Sequence, residues 1–451
     1  MSISLILLAG FCLALSGRFV FRRWFNHVSI YAGVWSVALA LFEARLIDYY
    51  RLDSGTWIVI IVGSLAFAFG AFAVATFDYA FRDRLSLRSD LLSRRPEETR
   101  AEERALRTAL WILNIVTLLA GLQHWWVVLR KFGSVSNVLL YGNLVYSMRL
   151  ADQLPGMIPY FDALGMTAAV VGGAYISLAG RFKFAGFLPL ILIIFIELAN
   201  MGRARIIIGA ILFAASYLLG KRGVAPGAEQ VRESRWKRIA PIGVVIVILA
   251  LGLETIRSLR GANESLSDAT TQLRSLEGAS FVTPMVYMYF TVEFGVLNQY
   301  LKQGGERILP GGNTFAPVFR LLDKFGLKTY VPYYQQFYNT PVGANTGSYL
   351  RELHADFGLL GILLGPFIFG LLSSIAWFRY RASKQFRDLT ILAYMFSVVG
   401  MSIFYVVTRG GDFIISFVCA LGVGLFVDRM ASLSRRTLPI SPANISGNLS
   451  T

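Results

Sequence analysis

Residues Ala344–Gly365, "ANTGSYLRELHADFGLLGILLG", contain the change of composition that decides the fold. From Phe357 onward this stretch is apolar and is typical of the start of a helix that crosses a membrane. Four ionisable residues stand just before it: Arg351, Glu352, His354 and Asp356. Charged groups at a membrane boundary are costly to desolvate, and where they occur they are commonly functional. The stretch therefore predicts a membrane protein with a polar site at the mouth of one helix.

The remainder of the chain has the composition of a polytopic membrane protein. Of its 451 residues, 55% are hydrophobic and 16% are charged, and the mean hydropathy is +0.57. A soluble chain of this length does not need so much apolar surface. The two cysteines, Cys12 and Cys419, lie in apolar runs, which argues against a disulfide framework or a thiolate metal site. We therefore expect an all-α polytopic integral membrane protein.

Eleven apolar stretches are long enough to cross a bilayer as helices. They lie at about 2–17, 28–47, 56–77, 108–129, 158–180, 185–201, 204–220, 239–256, 357–378, 389–407 and 412–428. The segment 281–301 is also rich in apolar residues, but Pro284, Thr291 and Glu293 interrupt it. We expect that segment to lie in or against the outer interface without crossing.

The basic residues indicate an orientation with the N-terminus on the outer side and the C-terminus on the cytoplasmic side. The predicted inner segments then hold 26 of the 43 Lys and Arg residues, in agreement with the positive-inside tendency. Because the net charge of +16 is spread over these short loops, we do not expect nucleic acid as a partner. The predicted divisions are 1–256 with eight spans and basic cytoplasmic loops, 257–356 as a large outer loop with interfacial helices, 357–428 with the last three spans, and 429–451 as a disordered cytoplasmic tail.

The chain lacks the sequence motifs of several kinds of catalytic site. There is no GxxxxGK[ST] phosphate loop, no HExxH zinc motif and no DxD pair for a metal–diphosphate complex. Of the three histidines, His27 is expected at an inner interface, and His124, in "LQHWWVVLR", in an aromatic belt. Only His354 has titratable neighbours on the predicted outer side. We expect neither a metal nor a cofactor.

The four ionisable residues of the opening stretch would lie on two adjoining faces of a helix. Arg351 and His354 are three residues apart, and Glu352 and Asp356 are four apart. One interpretation is structural, in which these groups mark a helix start and Asp356 lies near its N-terminal dipole. The other interpretation is a functional site, which arginines elsewhere in the chain favour.

Three of these arginines lie in predicted outer turns. Arg203 and Arg205 stand in "ANMGRARIII", and Arg409 stands in "TRGGD". Two arginines in a short outer turn run against the positive-inside tendency, so an anion is expected to compensate them. Arginine forks bind phosphate oxygens through two parallel hydrogen bonds. Several such residues beside membrane helices suit a diphosphate on a lipid carrier.

An aromatic segment, "TYVPYYQQFYN", lies in the same predicted outer loop. Its Tyr333, Tyr334 and Tyr338 have two interpretations of equal standing. Aromatic faces stack on the C–H faces of sugar rings, but an interfacial aromatic belt has the same composition.

These motifs resemble those of Wzy-type O-antigen polymerases, the oligosaccharide repeat-unit polymerases. "NTGSYLRELHADFGLLGILLGPFIFGLL" is similar to that family's polar stretch that runs into Asp-Phe-Gly, here 356–358, and then into a glycine-rich spanning helix. "MGRARIIIGAIL" resembles the family's turn of a small residue followed by Arg, here Gly202 and Arg203. The position of His354 is often aromatic in the family, which is a departure. The layout of spans, the late outer loop and the basic tail are also similar.

The resemblance implies a metal-independent glycosyltransferase of the bacterial inner membrane, with an architecture similar to GT-C enzymes and O-antigen ligase. It would polymerise lipid-linked repeat units into O-antigen or exopolysaccharide, transferring the growing glycan from undecaprenyl diphosphate to the next unit at the periplasmic face. The implied partners are the undecaprenyl-diphosphate-linked oligosaccharide, membrane lipid, a chain-length regulator and a flippase. O-antigen ligase and a non-enzymatic flippase of lipid-linked glycans are the alternatives.

Roles for the site residues follow from the reaction that the resemblance implies. Cations must stabilise the departing lipid diphosphate, and a base accepts the proton of the attacking hydroxyl. His354 or Glu352 would be this base, and Asp356 would orient a partner. The expected diphosphate ligands are Arg203, Arg205, Arg351 and Arg409.

Overall fold

The computed structural model describes residues 2–85, 96–151, 153–154, 156, 158, 160–179, 183–220, 235–259, 284–306, 308–327, 329, 331–332, 335–341 and 343–436. The predictions for Tyr333, Tyr334 and residues 437–451 of the tail lie outside these residues. Residues 429–436, predicted as the start of a disordered tail, are helical because they continue the last helix of the chain's described part. The described part of the chain is almost entirely helical, so the all-α prediction is confirmed. Its sheet is one antiparallel pair, in which β1 (Tyr338–Asn339) is joined to β2 (Gly343–Ala344).

Fifteen α-helices follow one another within the described ranges. They are α1 Ile3–Phe21, α2 His27–Glu43, α3 Ser54–Leu85, α4 Pro96–Phe132, α5 Val135–Leu140, α6 Gly142–Leu150, α7 Leu164–Ala179, α8 Phe184–Asn200, α9 Ala204–Gly220, α10 Arg235–Leu259, α11 Pro284–Lys302, α12 Ala316–Lys324, α13 Ser348–Ser383, α14 Phe386–Met401 and α15 Gly411–Arg436. Short 3-10 helices at Phe161–Ala163 and Val407–Arg409 precede α7 and α15.

A helix lies at the position of each of the eleven predicted spans. Six helical segments of the described chain are long and apolar enough to cross a membrane: Ile3–Phe21, Ser54–Phe77, Glu97–Phe132, Phe161–Ala179, Ser348–Ser383 and Gly411–Ser434. These six support a membrane-embedded protein, whereas the full count of eleven stays a prediction. α11 is not among the six and packs against α2, α3 and α13.

Glycines allow the backbones of α3 and α13 to approach each other closely. A Cβ at Gly70 would lie 2.0 Å from the carbonyl oxygen of Phe367, and one at Gly370 would lie 2.1 Å from that of Phe67. Small residues at such crossings are typical of helices that pack in membranes, where close van der Waals contact has to replace the hydrophobic effect. This contact fixes α13, the helix that begins with the ionisable residues, against the bundle.

α13 is broken at Gly358, so its polar start and its apolar remainder are separate segments. Gly358 has φ 62° and ψ −144°, a conformation that residues other than glycine rarely adopt. A straight helix of 36 residues would extend about 54 Å, well beyond the roughly 30 Å of a bilayer core. The break separates the polar segment 348–357 from the apolar remainder of α13, next to the residue at which the sequence predicts the span to begin.

Candidate functional site

Six of the predicted site residues come together at the start of α13, and we call them the mouth cluster. They are Arg351, Glu352, His354 and Asp356 of α13, Tyr338 of β1, and Arg409 of the 3-10 helix before α15. Chain segments far apart in sequence thus converge on the place where the spanning part of α13 begins.

The centre of the mouth cluster is an ion pair between Glu352 and Arg409. Arg409 Nη1 lies 3.1 Å from Glu352 Oε1, and both side chains are almost fully buried. The Val406 N–H and the Gln335 side-chain amide also donate to the Glu352 carboxylate. Arg409 donates in addition to Asn313 Oδ1. A buried ion pair persists only when further hydrogen bonds satisfy both partners, as they do here.

Burial also sets the proton affinities of this cluster. Loss of solvent raises the pKa of Glu352 to about 7, while Arg409 and the Val406 N–H oppose that rise. Burial lowers the pKa of His354, so its imidazole is neutral at pH 7. Both residues precede the break at Gly358 and the predicted start of the span at Phe357. Glu352 is therefore suited to exchange a proton near neutral pH, and His354 is in the neutral form that a base requires.

Asp356 uses its carboxylate to hold the turn that leads into α12. Oδ1 accepts from the backbone N–H of Asn313 at 2.8 Å and from its side-chain Nδ2 at 3.1 Å. Oδ2 accepts from the backbone N–H of Thr314 at 2.7 Å and from its hydroxyl at 2.6 Å. Because Asn313 also contacts Arg409, Asp356 positions that arginine indirectly. An orienting role for Asp356 in a reaction stays a prediction, for which these four hydrogen bonds supply the geometry.

Arg351 and His354 share the other face, as their spacing predicted, and both contact Tyr300 of α11. His354 Nδ1 lies 2.8 Å from the Tyr300 hydroxyl. The Arg351 guanidinium lies 5.6 Å from the centre of the Tyr300 ring and 4.9 Å from that of Tyr338. Arg351 is fully buried and forms an ion pair with Glu306. Its positive charge is thus compensated within the protein, and Tyr338 is a buried ring beside it.

Arg205 belongs to a second group, the Arg205 cluster, in which three carboxylates surround its guanidinium. Asp162 and Glu197 contact Nη1, the latter at 2.9 Å, and Asp412 Oδ2 lies 2.6 Å from Nε. These acids come from the 3-10 helix before α7, from the last turn of α8 and from the first turn of α15. The anions that compensate Arg205 are therefore groups of the protein itself.

Arg203, two residues before Arg205 in the chain, contacts α11. It donates to the hydroxyl of Tyr289, and its guanidinium lies 5.0 Å from the centre of that ring. Arg409 of the mouth cluster and Asp412 of the Arg205 cluster are three residues apart in the chain, so the two clusters are neighbours. The predicted arginines thus occupy two neighbouring polar regions.

The other two histidines face the protein interior, and their expected positions at the membrane interface stay predictions. His27 is fully buried in the bundle, where its Nε2 lies 2.7 Å from the hydroxyl of Ser374. His124 is also buried, and its Nδ1 lies 3.2 Å from Asn200 Oδ1. Contacts between helices bury both side chains. The neighbouring residues in the sequence give no sign of these contacts.

Several site residues were not predicted from the sequence. Asn313 and Thr314 follow two glycines in "PGGNT", and this polar, glycine-rich turn was the one available signal for them. Tyr300, Glu306 and Asp162 carry no local signal, because their partners lie at least 40 residues away in the chain.

Among the residues that the structure describes, no group of three or more His, Cys, Asp or Glu is arranged to hold a metal ion. In comparisons with known proteins, no family model matches the chain, and no curated protein or solved structure matches it significantly. The functional proposal consequently depends on the geometry of the mouth cluster and on the motifs that begin and surround it.

Proposed function

We propose that the chain is a Wzy-type polysaccharide polymerase of the bacterial inner membrane, with eleven spans and a GT-C-like architecture. It transfers the growing glycan from undecaprenyl diphosphate to the next lipid-linked repeat unit at the periplasmic face. The observation that carries this proposal is the buried Glu352–Arg409 pair where the spanning part of α13 begins. One residue can take a proton and the other can receive a leaving anion, at the level where a lipid headgroup would lie.

The reaction follows from these two residues. The acceptor hydroxyl oxygen forms a bond to the anomeric carbon, and the bond from that carbon to the diphosphate oxygen breaks with its electron pair going to the diphosphate. Glu352 takes the hydroxyl proton. Protonation removes the negative charge that engages Arg409, so its guanidinium can turn to the diphosphate as negative charge develops there.

Arg203 is the second diphosphate ligand in this proposal, since it is partly exposed and its guanidinium is hydrogen-bonded to the hydroxyl of Tyr289. His354 is the alternative base, in the tautomer whose Nδ1–H donates to the Tyr300 hydroxyl and whose Nε2 therefore has a free lone pair to accept a proton. Arg351 and Arg205, whose charges are compensated internally, act by holding the site together. Stacking of Tyr333 and Tyr334 on the sugar remains part of the proposal.

The chain-length profile of surface glycan in a deletion strain tests this function. Loss of a polymerase leaves single repeat units capped on their acceptor, and the gene in trans restores the ladder. Loss of a ligase would leave long chains on the lipid carrier, and loss of a flippase would leave lipid-linked repeats at the cytoplasmic face. Either of the last two profiles would contradict the proposal.

A further inference from the structure

The helix α12 presents its apolar side away from the protein. Ala316 is 0% exposed, whereas Val318, Leu321 and Phe325 are 52%, 54% and 76% exposed. At 100° per residue, these three side chains lie on the face opposite Ala316. A helix on the surface of a soluble protein has the reverse orientation, with its apolar face against the core. The exposed face of α12 therefore needs an apolar partner.

This face continues into the membrane-facing surface of α13. The rings of Phe315 and Phe357 meet at Gly311, where a Cβ would lie 2.9 Å from the first and 3.5 Å from the second. Phe357 leads directly into Leu359 and Leu360, which are large exposed apolar residues of the spanning segment. Lipid acyl chains that cover this surface of α13 would reach the apolar face of α12 without interruption.

The charged residues of α12 lie away from that face. Asp323 and Lys324 are exposed and flank the side of the helix that carries Ala316. A short helix with one apolar and one charged face lies in the plane of a membrane interface, with its apolar side chains among the upper acyl chains.

We propose that α12 docks on the lipid bilayer, with Val318, Leu321 and Phe325 inserted below the headgroups. The docked helix fixes the height of the mouth cluster above the membrane. α12 packs against the 3-10 helix that carries Arg409, and the Thr408 hydroxyl donates to the carbonyl of Thr314 at 3.0 Å. Contact with lipid would thereby help to hold Arg409 in position. The docking itself does not depend on the proposed reaction.

Site-specific fluorescence in nanodiscs tests the docking. The full chain, with Cys12 and Cys419 replaced by Ala, carries a single cysteine in place of Leu321 (Leu321→Cys) labelled with an environment-sensitive dye. One copy per disc is reconstituted in phosphatidylethanolamine and phosphatidylglycerol, with or without bromine on the upper acyl chain. The matched control is Asp323→Cys on the opposite face, and Val318→Cys is a second position on the apolar face.

We expect brominated lipid to quench the labels at positions 321 and 318 at least twofold and aqueous iodide to leave them unchanged. The label at position 323 is expected to show the opposite pattern. Iodide quenching at positions 321 and 318 without quenching by brominated lipid would place the face in water and overturn the proposal. Shielding from both quenchers would show that protein covers the face, which would overturn it as well.

Discussion

At the scale of single residues, Glu352 and Arg409 depend on each other because both are buried. Removal of one partner leaves the other as an uncompensated charge, at a cost of about 3–5 kcal/mol. We expect Glu352→Gln and Arg409→Met each to lower the thermal midpoint in detergent, and the double variant to lose less than the sum of the two. The exposed substitution Asp323→Asn is the control and should have little effect. Additive losses from the two substitutions would show that the pair is not coupled.

Glu293 of α11 predicts a pH dependence of stability. Its Oε1 accepts from the Thr346 hydroxyl at 2.9 Å, while its buried Oε2 has no hydrogen-bond partner within the described structure. Burial raises the pKa of Glu293 well above its ordinary value of 4.5. The folded protein thus keeps a proton that the unfolded chain releases, so stability falls as the pH rises above that ordinary value.

Glu293→Gln, which has the shape of the neutral acid, tests this dependence. We expect the thermal midpoint of the unmodified protein to fall between pH 5 and pH 8 and that of the variant to fall less. At pH 8 the variant is expected to be at least as stable as the parent. An unchanged slope with pH would mean that Glu293 is ionised in the folded protein.

At the scale of elements, Asp356 is the contact that joins α13 to the turn before α12. In Asp356→Asn an amide nitrogen would face N–H donors of Asn313 and Thr314, so at least one of the four hydrogen bonds is lost. Hydrogen bonds to charged groups contribute about 1.5–3 kcal/mol each. We expect the backbone amides of Asn313 and Thr314 to exchange with deuterium at least about tenfold faster, which corresponds to about 1.4 kcal/mol. Equal exchange in the variant and the parent would remove the positioning role.

The elements also show how far local sequence patterns reach. Apolar length predicted a helix at all eleven span positions, and the change from polar to apolar residues at Phe357 predicted the start of a segment within one residue of the break at Gly358. The spacing of Arg351, His354, Glu352 and Asp356 predicted which side chains share a face. These features depend on neighbours along the chain, and the local pattern therefore contains them.

The compensation of the arginines could not be predicted in the same way. An outer turn with Arg203 and Arg205 was expected to bind an external anion, but Arg205 is surrounded by Asp162, Glu197 and Asp412. These acids reach Arg205 only after the helices have packed. The same holds for Glu306 at Arg351, so charge balance at this site is a property of the tertiary structure.

At the scale of the whole molecule, the predicted topology assigns a side to each connection. A reporter fused after Arg95 or after Lys237 is expected to behave as cytoplasmic, and one fused near Gly312 as periplasmic. The basis is the positive-inside distribution of Lys and Arg over the predicted inner segments. Paired alkaline phosphatase and fluorescent protein fusions at each position measure this directly. A periplasmic signal from the Arg95 fusion would contradict the eleven-span topology.

The most direct measurement of the central claim is polymerisation by the purified protein. Undecaprenyl-diphosphate-linked repeat units extracted from the deletion strain would be supplied to the protein in lipid nanodiscs, and the products resolved by gel electrophoresis. We predict a ladder of glycans that are longer by whole repeat units. Arg203→Ala is expected to reduce it at least about tenfold, equivalent to about 1.4 kcal/mol of transition-state stabilisation. Arg203→Lys should restore little, since an ammonium cannot replace the guanidinium fork. Absence of any ladder from the folded parent protein with intact substrate would contradict the account.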